Sequence, residues 1–219
     1  HNQSRRQRQM CIRDRFLAVV VFFRKEILSF LIYRKVFMLI ILASLPIILC
    51  GYLIAQSGII NDLRSLKIIG WTTVLFGILL YFSDKMENEK NLEINLDIKA
   101  ALIIGFLHIF SLIPGVSRSG IAITAARFLK FDRVNAAKIS FLLSIPTLLA
   151  VSVFGIYNIY VTDNFDLIKL NFSSIILSFI FSYITMVAFL GYIKKASLDV
   201  FVLYRIVLGV LILIFAYQG

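Results

Sequence analysis

The chain has 219 residues, of which 60% are apolar and only 16% charged, and its mean hydropathy is +0.90. Soluble domains carry about 45–50% apolar and about 25% charged residues, and a globule of this size cannot hide the excess from water. Lipid is therefore the expected solvent; 3 prolines and 11 glycines exclude a disordered or collagen-like chain, and no segment alternates as an outer-membrane strand would.

The net charge of +11 is unevenly spread. Residues 1–15 hold five arginines (Arg5, Arg6, Arg8, Arg13, Arg15) and one acid, Asp14, with no helical apolar face. A nucleic-acid arm would need a folded soluble module behind it, so this basic leader reads as a tag, a junction or a misassembled start, and nucleic acid is not an expected partner. The apolar run 16–23 that follows has the length of a helix's last turns, so the front of the chain is expected to be truncated or altered. Glu26, beside Arg24 and Lys25, reads as a solvated or salt-paired charge at a membrane edge. Cys11 and Cys50 specify neither a disulfide framework nor a metal site.

A helix that crosses roughly 30 Å of hydrocarbon needs about 20 mostly apolar residues. Segments 36–55, 66–83, 137–161 and 172–193 meet or nearly meet that length, and 200–217 does so if Arg205 faces the bundle interior. Between 84 and 99, Asp84, Glu87, Glu89, Glu93 and Asp97 are mixed with Lys85, Lys90 and Lys99. No Ca²⁺-loop spacing is present, and the stretch reads as a wet cytoplasmic connection.

Residues 99–131 break this pattern. The apolar piece 100–113 is too short to cross, and the polar turn Pro114-Gly115-Val116-Ser117-Arg118-Ser119-Gly120 separates it from a second short piece, 121–129. Two half-helices around a polar turn predict a re-entrant hairpin. Orientation follows Lys and Arg in short loops. With a hairpin that enters and leaves on one side, one face of the membrane receives 13 such residues and the other three; with a full crossing the two faces receive eight each. The hairpin restores the asymmetry and puts the rich face in the cytoplasm.

Arg118 then lies deep in the bilayer, where an unpaired guanidinium costs a few kcal/mol even on the mildest scale. Ser117 and Ser119 offer hydroxyls, Gly115 and Gly120 allow close backbone approach, and a helix start supplies unpaired N–H groups. Together they suit an anion, phosphate above all, because the arginine fork matches two phosphate oxygens at once. The alternative is that Arg118 pairs with an acid of the bundle and the serines merely cap the helix. Arg205 divides between reaching a phosphate or acid and snorkelling to the interface. His108 either faces the ligand or hydrogen-bonds inside the hairpin.

The turn resembles the second signature motif of the bacterial undecaprenyl-diphosphatase (bacitracin-resistance protein) family. The similarity continues through Ser140-Phe141-Leu142-Leu143-Ser144-Ile145-Pro146, Tyr204-Arg205, Phe22-Phe23-Arg24-Lys25 and Ala43-Ser44-Leu45-Pro46. The resemblance implies an all-α polytopic membrane enzyme of two inverted repeats, which would be 16–98 and 99–219 after the leader 1–15. Its implied reaction removes one phosphate from a polyprenyl diphosphate, recycling the lipid carrier for peptidoglycan synthesis and conferring bacitracin resistance, at a site that faces the periplasm of the bacterial inner membrane. Arg118 matches the family's essential arginine, with Ser117 and Ser119 as its flanking serines and Gly115 and Gly120 as diphosphate-binding backbone. Ala122 stands where the family usually has threonine, with Thr124 displaced by two. The resemblance also implies a Mg²⁺ or Ca²⁺ ion held by a glutamate-rich motif, and a histidine in a Pro-x-Ser-Ser-x-Gly-His motif, both before residue 16. Residues 1–15 match neither motif, so no metal ligand is expected in this chain, and it carries half of the implied site. The other functional classes are a polyprenyl-phosphate transporter, since broken helices at mid-bilayer also suit alternating access, and an inactive membrane fragment. Expected partners are the polyprenyl diphosphate and membrane lipids, with a homodimer left open.

Overall fold

The structure is a computed structural model that describes residues 34–57, 64–86, 90, 92–161 and 172–218. The leader, the run 16–23, Glu26, Glu87 and Glu89 lie outside the described residues. Among those described, eight α-helices form: α1 (Arg34–Ser57), α2 (Leu66–Asp84), α3 (Leu92–Asn95), α4 (Ile98–His108), α5 (Arg118–Phe128), α6 (Arg133–Val161), α7 (Phe172–Ile193) and α8 (Asp199–Gln218). A single 3₁₀ turn, Ile109–Leu112, continues α4. Helices are the expected outcome, because a backbone in lipid must satisfy its own N–H and C=O groups.

Among the described residues three helices are long and apolar enough to cross a membrane: Arg34–Ile54 of α1, all of α2 and all of α8. Only 17% of the most apolar stretch of α8 is buried within the protein. Exposed Leu203, Val207, Leu211 and Phe215 form much of its outer surface, which fits lipid and not water. On its inner side α8 packs along α2 through small residues. A Cβ on Gly209 would lie 2.6 Å from Val74, and one on Gly70 would lie 2.7 Å from Leu213. Close backbone approach of this kind is how helices associate where no hydrophobic force separates protein from solvent.

Helices α4 and α5 have 11 residues each, about 16 Å of rise, too short to cross. They fold back on one another, and their outer ends are tied together. The Lys90 N–H donates to the Lys130 carbonyl at 3.0 Å, and the Asp132 N–H donates to the Lys90 carbonyl at 3.3 Å. The segment that precedes the hairpin and the turn that follows it therefore meet at its base. Helix α5 starts at Arg118, three residues before the apolar piece read from the sequence, because Ser117 caps it: the Gly120 N–H donates to Ser117 Oγ at 3.2 Å. Asp97 caps α4 in the same way, accepting from the Ala100 N–H at 2.8 Å.

Helix α5 is the centre of the molecule, wrapped by α2, α4 and α6, and every residue from Gly120 to Arg127 is buried. Its alanines (Ala122, Ala125, Ala126) and those of α4 and α6 (Ala101, Ala136, Ala137) let these backbones close up. The C-terminus of α5 ends in a Schellman motif. The Phe131 N–H donates to the Ala126 carbonyl at 3.1 Å and the Lys130 N–H to Arg127 at 2.8 Å, with fully buried Phe131 locking the turn. Lys130 sits at φ 70°, a left-handed conformation that costs an L-residue about 1–2 kcal/mol. Lys130→Gly is expected to stabilise the protein by roughly 1 kcal/mol. An unfolding titration in mixed micelles checks the sign, and a destabilised variant contradicts this account of the turn.

The wet-connection reading fails at its first residue. Asp84 is only 4% exposed and joins four elements at the base of the hairpin. Its carboxylate accepts from Arg133 Nε at 2.8 Å and Nη2 at 2.9 Å, and from the Leu198 N–H at 3.1 Å; it also pairs with Arg127 Nη2 at 3.2 Å. Arg127, placed by the sequence reading among loop charges, is 3% exposed. Burial of a charge demands such partners, and each supplies the other's.

Candidate functional site

The turn between α4 and α5 rests against the middle of α2. Thr72 Oγ1 lies 2.8 Å from the Pro114 carbonyl, sharing its proton with Ile68 of its own helix, and Thr73 Oγ1 lies 3.3 Å from the Gly115 carbonyl. Thr73 precedes Asp84 by 11 residues, roughly 16 Å along α2. The tip is therefore separated from the charged base by the full length of α5. Gly115 has φ +93°, and any side chain there would collide with the Thr72 hydroxyl. Only glycine satisfies both constraints.

All five residues singled out in the sequence come together on this turn. Ser117 is the N-cap of α5, and its Oγ lies 3.3 Å from Ser119 Oγ. Arg118, half-buried, is the first helical residue; Ser119 is exposed and Gly120 buried. The first amides of a helix have no intrahelical acceptor, and they carry the positive end of its dipole. Two hydroxyls, an arginine residue and a positive helix end are thus carried on one turn.

Arg205 joins them from α8. Its side chain does not snorkel: the residue is 8% exposed, and Nη2 donates to the Gly115 carbonyl at 3.2 Å. Its neighbour Tyr204 turns outward, 64% exposed. His108 is buried at 1% exposure, and its Nδ1 has no hydrogen-bond partner, so the reading of a ring bonded within the hairpin does not hold at that nitrogen. Thr124 Oγ1 donates to the Gly120 carbonyl at 2.8 Å within its own helix, so its hydroxyl is not offered to a ligand.

The implied divalent cation finds no fit at this turn. Among the described residues no group of three His, Cys, Asp or Glu side chains could hold a metal ion. The described carboxylates of Asp84, Asp97, Asp132 and Asp199 flank helix ends at the base of the hairpin, whereas the tip presents guanidinium, N–H and hydroxyl groups. Such groups suit an anion, and no step is assigned to a metal.

The family model described as "Bacitracin resistance protein BacA" matches residues 14–211, most of the chain. The chain belongs to the BacA family. An undecaprenyl-diphosphatase of Pelagibacter ubique is 47% identical over 203 residues, which cover 92% of this chain and 79% of that protein. One of Jannaschia sp. is 36% identical over 84% of this chain and 68% of the relative, and one of Elusimicrobium minutum 35% identical over 91% and 79%.

For this BacA member, sequence reasoning missed the groups that hold the tip in place. Thr72 and Thr73 form an adjacent threonine pair in the middle of an apolar span, a signal that was legible but unread. Ser140 Oγ donates to the Ser119 carbonyl at 3.4 Å and lies in the Ser140–Pro146 segment that carried the resemblance, with no role assigned to it there. Asp84 gave no signal apart from its position at the end of a span.

Proposed function

We propose that this chain is an undecaprenyl-diphosphatase that hydrolyses undecaprenyl diphosphate to the monophosphate and phosphate. The observation that carries the reading is the convergence of Arg118, the Ser117 and Ser119 hydroxyls and the start of α5 on one deep turn that has no carboxylate of its own. Membership of the BacA family and the names of three relatives support the choice of substrate. In the proposed reaction the oxygen of water bonds to the terminal phosphorus, the bridging P–O bond breaks, and the lipid monophosphate leaves with that bridging oxygen. Arg118 holds non-bridging oxygens of the terminal phosphate, and with the first amides of α5 it neutralises charge that grows on them and on the leaving oxygen. Ser117 and Ser119 orient the group by hydrogen bonds. Gly115 and Gly120 keep side chains out of its path.

In this reading α4 and α5 dip into the bilayer from the cytoplasmic face and turn back, so the tip meets the lipid head group from within and opens toward the periplasm. Residues 99–219 form the second of two inverted repeats. Exposed apolar side chains of α2 and α8 face acyl chains and the isoprenoid tail. The test is release of phosphate from undecaprenyl diphosphate by the purified full-length protein in nanodiscs with Mg²⁺ present. Phosphate release is the expected result. Movement of the lipid between leaflets without release would identify a transporter instead, and absence of both an inactive protein; either result overturns the hydrolase reading.

A further inference from the structure

Two buried arginines in this protein are treated very differently. Arg127, at 3% exposure, faces the Asp84 carboxylate and the carbonyls of Asp84 and Phe131. Arg205, at 8% exposure, has one backbone carbonyl, that of Gly115, and its Nη1 is buried without any hydrogen-bond partner. A guanidinium carries five donors and a fixed charge, and burying it without an anion is strongly unfavourable. The fold nevertheless holds it there firmly. A Cβ on Gly77 of α2 would lie 3.5 Å from the Arg205 Cβ, so the stem is clamped where α2 and α8 meet, and the bond to Gly115 fixes the plane of the fork.

The unpaired donor has a definite aim. A Cβ placed on Gly120 would lie 2.5 Å from Arg205 Nη1 and 3.3 Å from Ser117 Oγ. Nη1 is thus turned into the first turn of α5, beside the capping hydroxyl and two residues from Arg118. Glycine at 120 leaves the room this approach requires.

We propose that Arg205 is a second phosphate-binding arginine of this site, and that the pair Arg118 and Arg205, reaching the turn from separate helices, makes it prefer a diphosphate to a monophosphate. The proposal rests on the hydrolase reading above and goes further by naming what selects the substrate. One guanidinium suffices to hold a monophosphate. A diphosphate offers each of two arginine forks a phosphoryl group of its own, which a monophosphate does not. After hydrolysis neither product bridges them, which weakens product retention.

Calorimetric titration of the purified full-length protein in nanodiscs, with inorganic pyrophosphate and separately with inorganic phosphate, tests this; turnover of undecaprenyl diphosphate supplies the lipid arm. The parent is expected to bind pyrophosphate at least tenfold more tightly than phosphate. Arg205→Gln should lose at least tenfold in pyrophosphate affinity and less than threefold in phosphate affinity, with Arg205→Lys intermediate and KM for the lipid raised in step. Arg205→Lys covers the case in which Arg205→Gln does not fold: it keeps the charge and an apolar stem at the same place on α8 and gives up only the planar fork. It should show a selective loss of pyrophosphate affinity too, smaller than that of the glutamine variant. An unchanged ratio of affinities in either variant, or equal losses for both anions with a lowered melting temperature, overturns the role of Arg205 while leaving the hydrolase reading intact. A parent that binds neither anion and releases no phosphate overturns that reading, and this one with it.

Discussion

Arg118→Ala is expected to lower phosphate release from undecaprenyl diphosphate by roughly 10²- to 10³-fold, about 3–4 kcal/mol of transition-state stabilisation, while the protein stays folded. The two halves of this expectation have separate origins. Arg118 occupies the first position of α5, where alanine is at least as good a helix former and the Ser117 cap to the Gly120 N–H is untouched. The side chain is half-buried and lies outside the buried run 120–127 that packs α5. Stability should therefore change little, and the melting temperature in detergent should stay within a few degrees of the parent. The charge on the transferred phosphoryl group, in contrast, is spread over oxygens that a planar fork can meet two at a time, and Arg118→Lys offers only a point charge. Lysine should restore no more than a minor part of the lost rate. Turnover of Arg118→Ala equal to that of the parent would remove this residue from the chemistry.

The hairpin was legible because its constraints are local or one-dimensional. A 14-residue apolar piece ends at a seven-residue polar turn, and that break can be read from neighbouring residues alone. The seven-residue turn holds Gly115, Ser117, Arg118, Ser119 and Gly120 together by covalent connection alone, and the structure finds them at one point for that reason. The apolar piece 121–129 begins three residues after α5 does, because hydropathy reports burial, whereas a helix begins where a side-chain oxygen can take the N3 amide.

What could not be read depends on how distant segments meet. Thr72 contacts Pro114 across 42 positions, Arg133 meets Asp84 across 49, and Arg205 reaches Gly115 across 90. In the sequence Thr72 carries no reading, Arg133 counts as a loop charge, and Arg205 divides between a buried partner and snorkelling, since long polar side chains near the end of a span usually find water. Packing decided otherwise. Glycines at 70, 77 and 209 bring α2 and α8 close enough for a guanidinium to cross from one helix to a turn held by the other. Only the burial of Arg205 and its contact with Gly115 distinguish a site residue from an interface anchor.

The base of the hairpin should set stability as the tip sets activity. Asp84→Ala is expected to destabilise the protein by about 3–5 kcal/mol, the usual cost of removing one partner of a buried ion pair, read by unfolding in mixed micelles or by the fraction that remains monodisperse on heating. The estimate rests on Arg127, not Arg133. With 35% of its side chain exposed, Arg133 keeps access to water, so its bidentate bond is screened and Arg133→Ala should cost roughly 1 kcal/mol or less. Arg127, at 3%, has no such access; without Asp84 it retains only carbonyl acceptors, and its Nε already lacks a partner. Asp84→Asn should fall between the two, because its single amide oxygen can still accept from Arg127 or from the Leu198 N–H, which meet different oxygens of the carboxylate, but not from both, and it supplies no charge. Equal losses for Asp84→Ala and Arg133→Ala would mean that the exposed pair, and not the buried one, fastens α2 to the return limb of the hairpin.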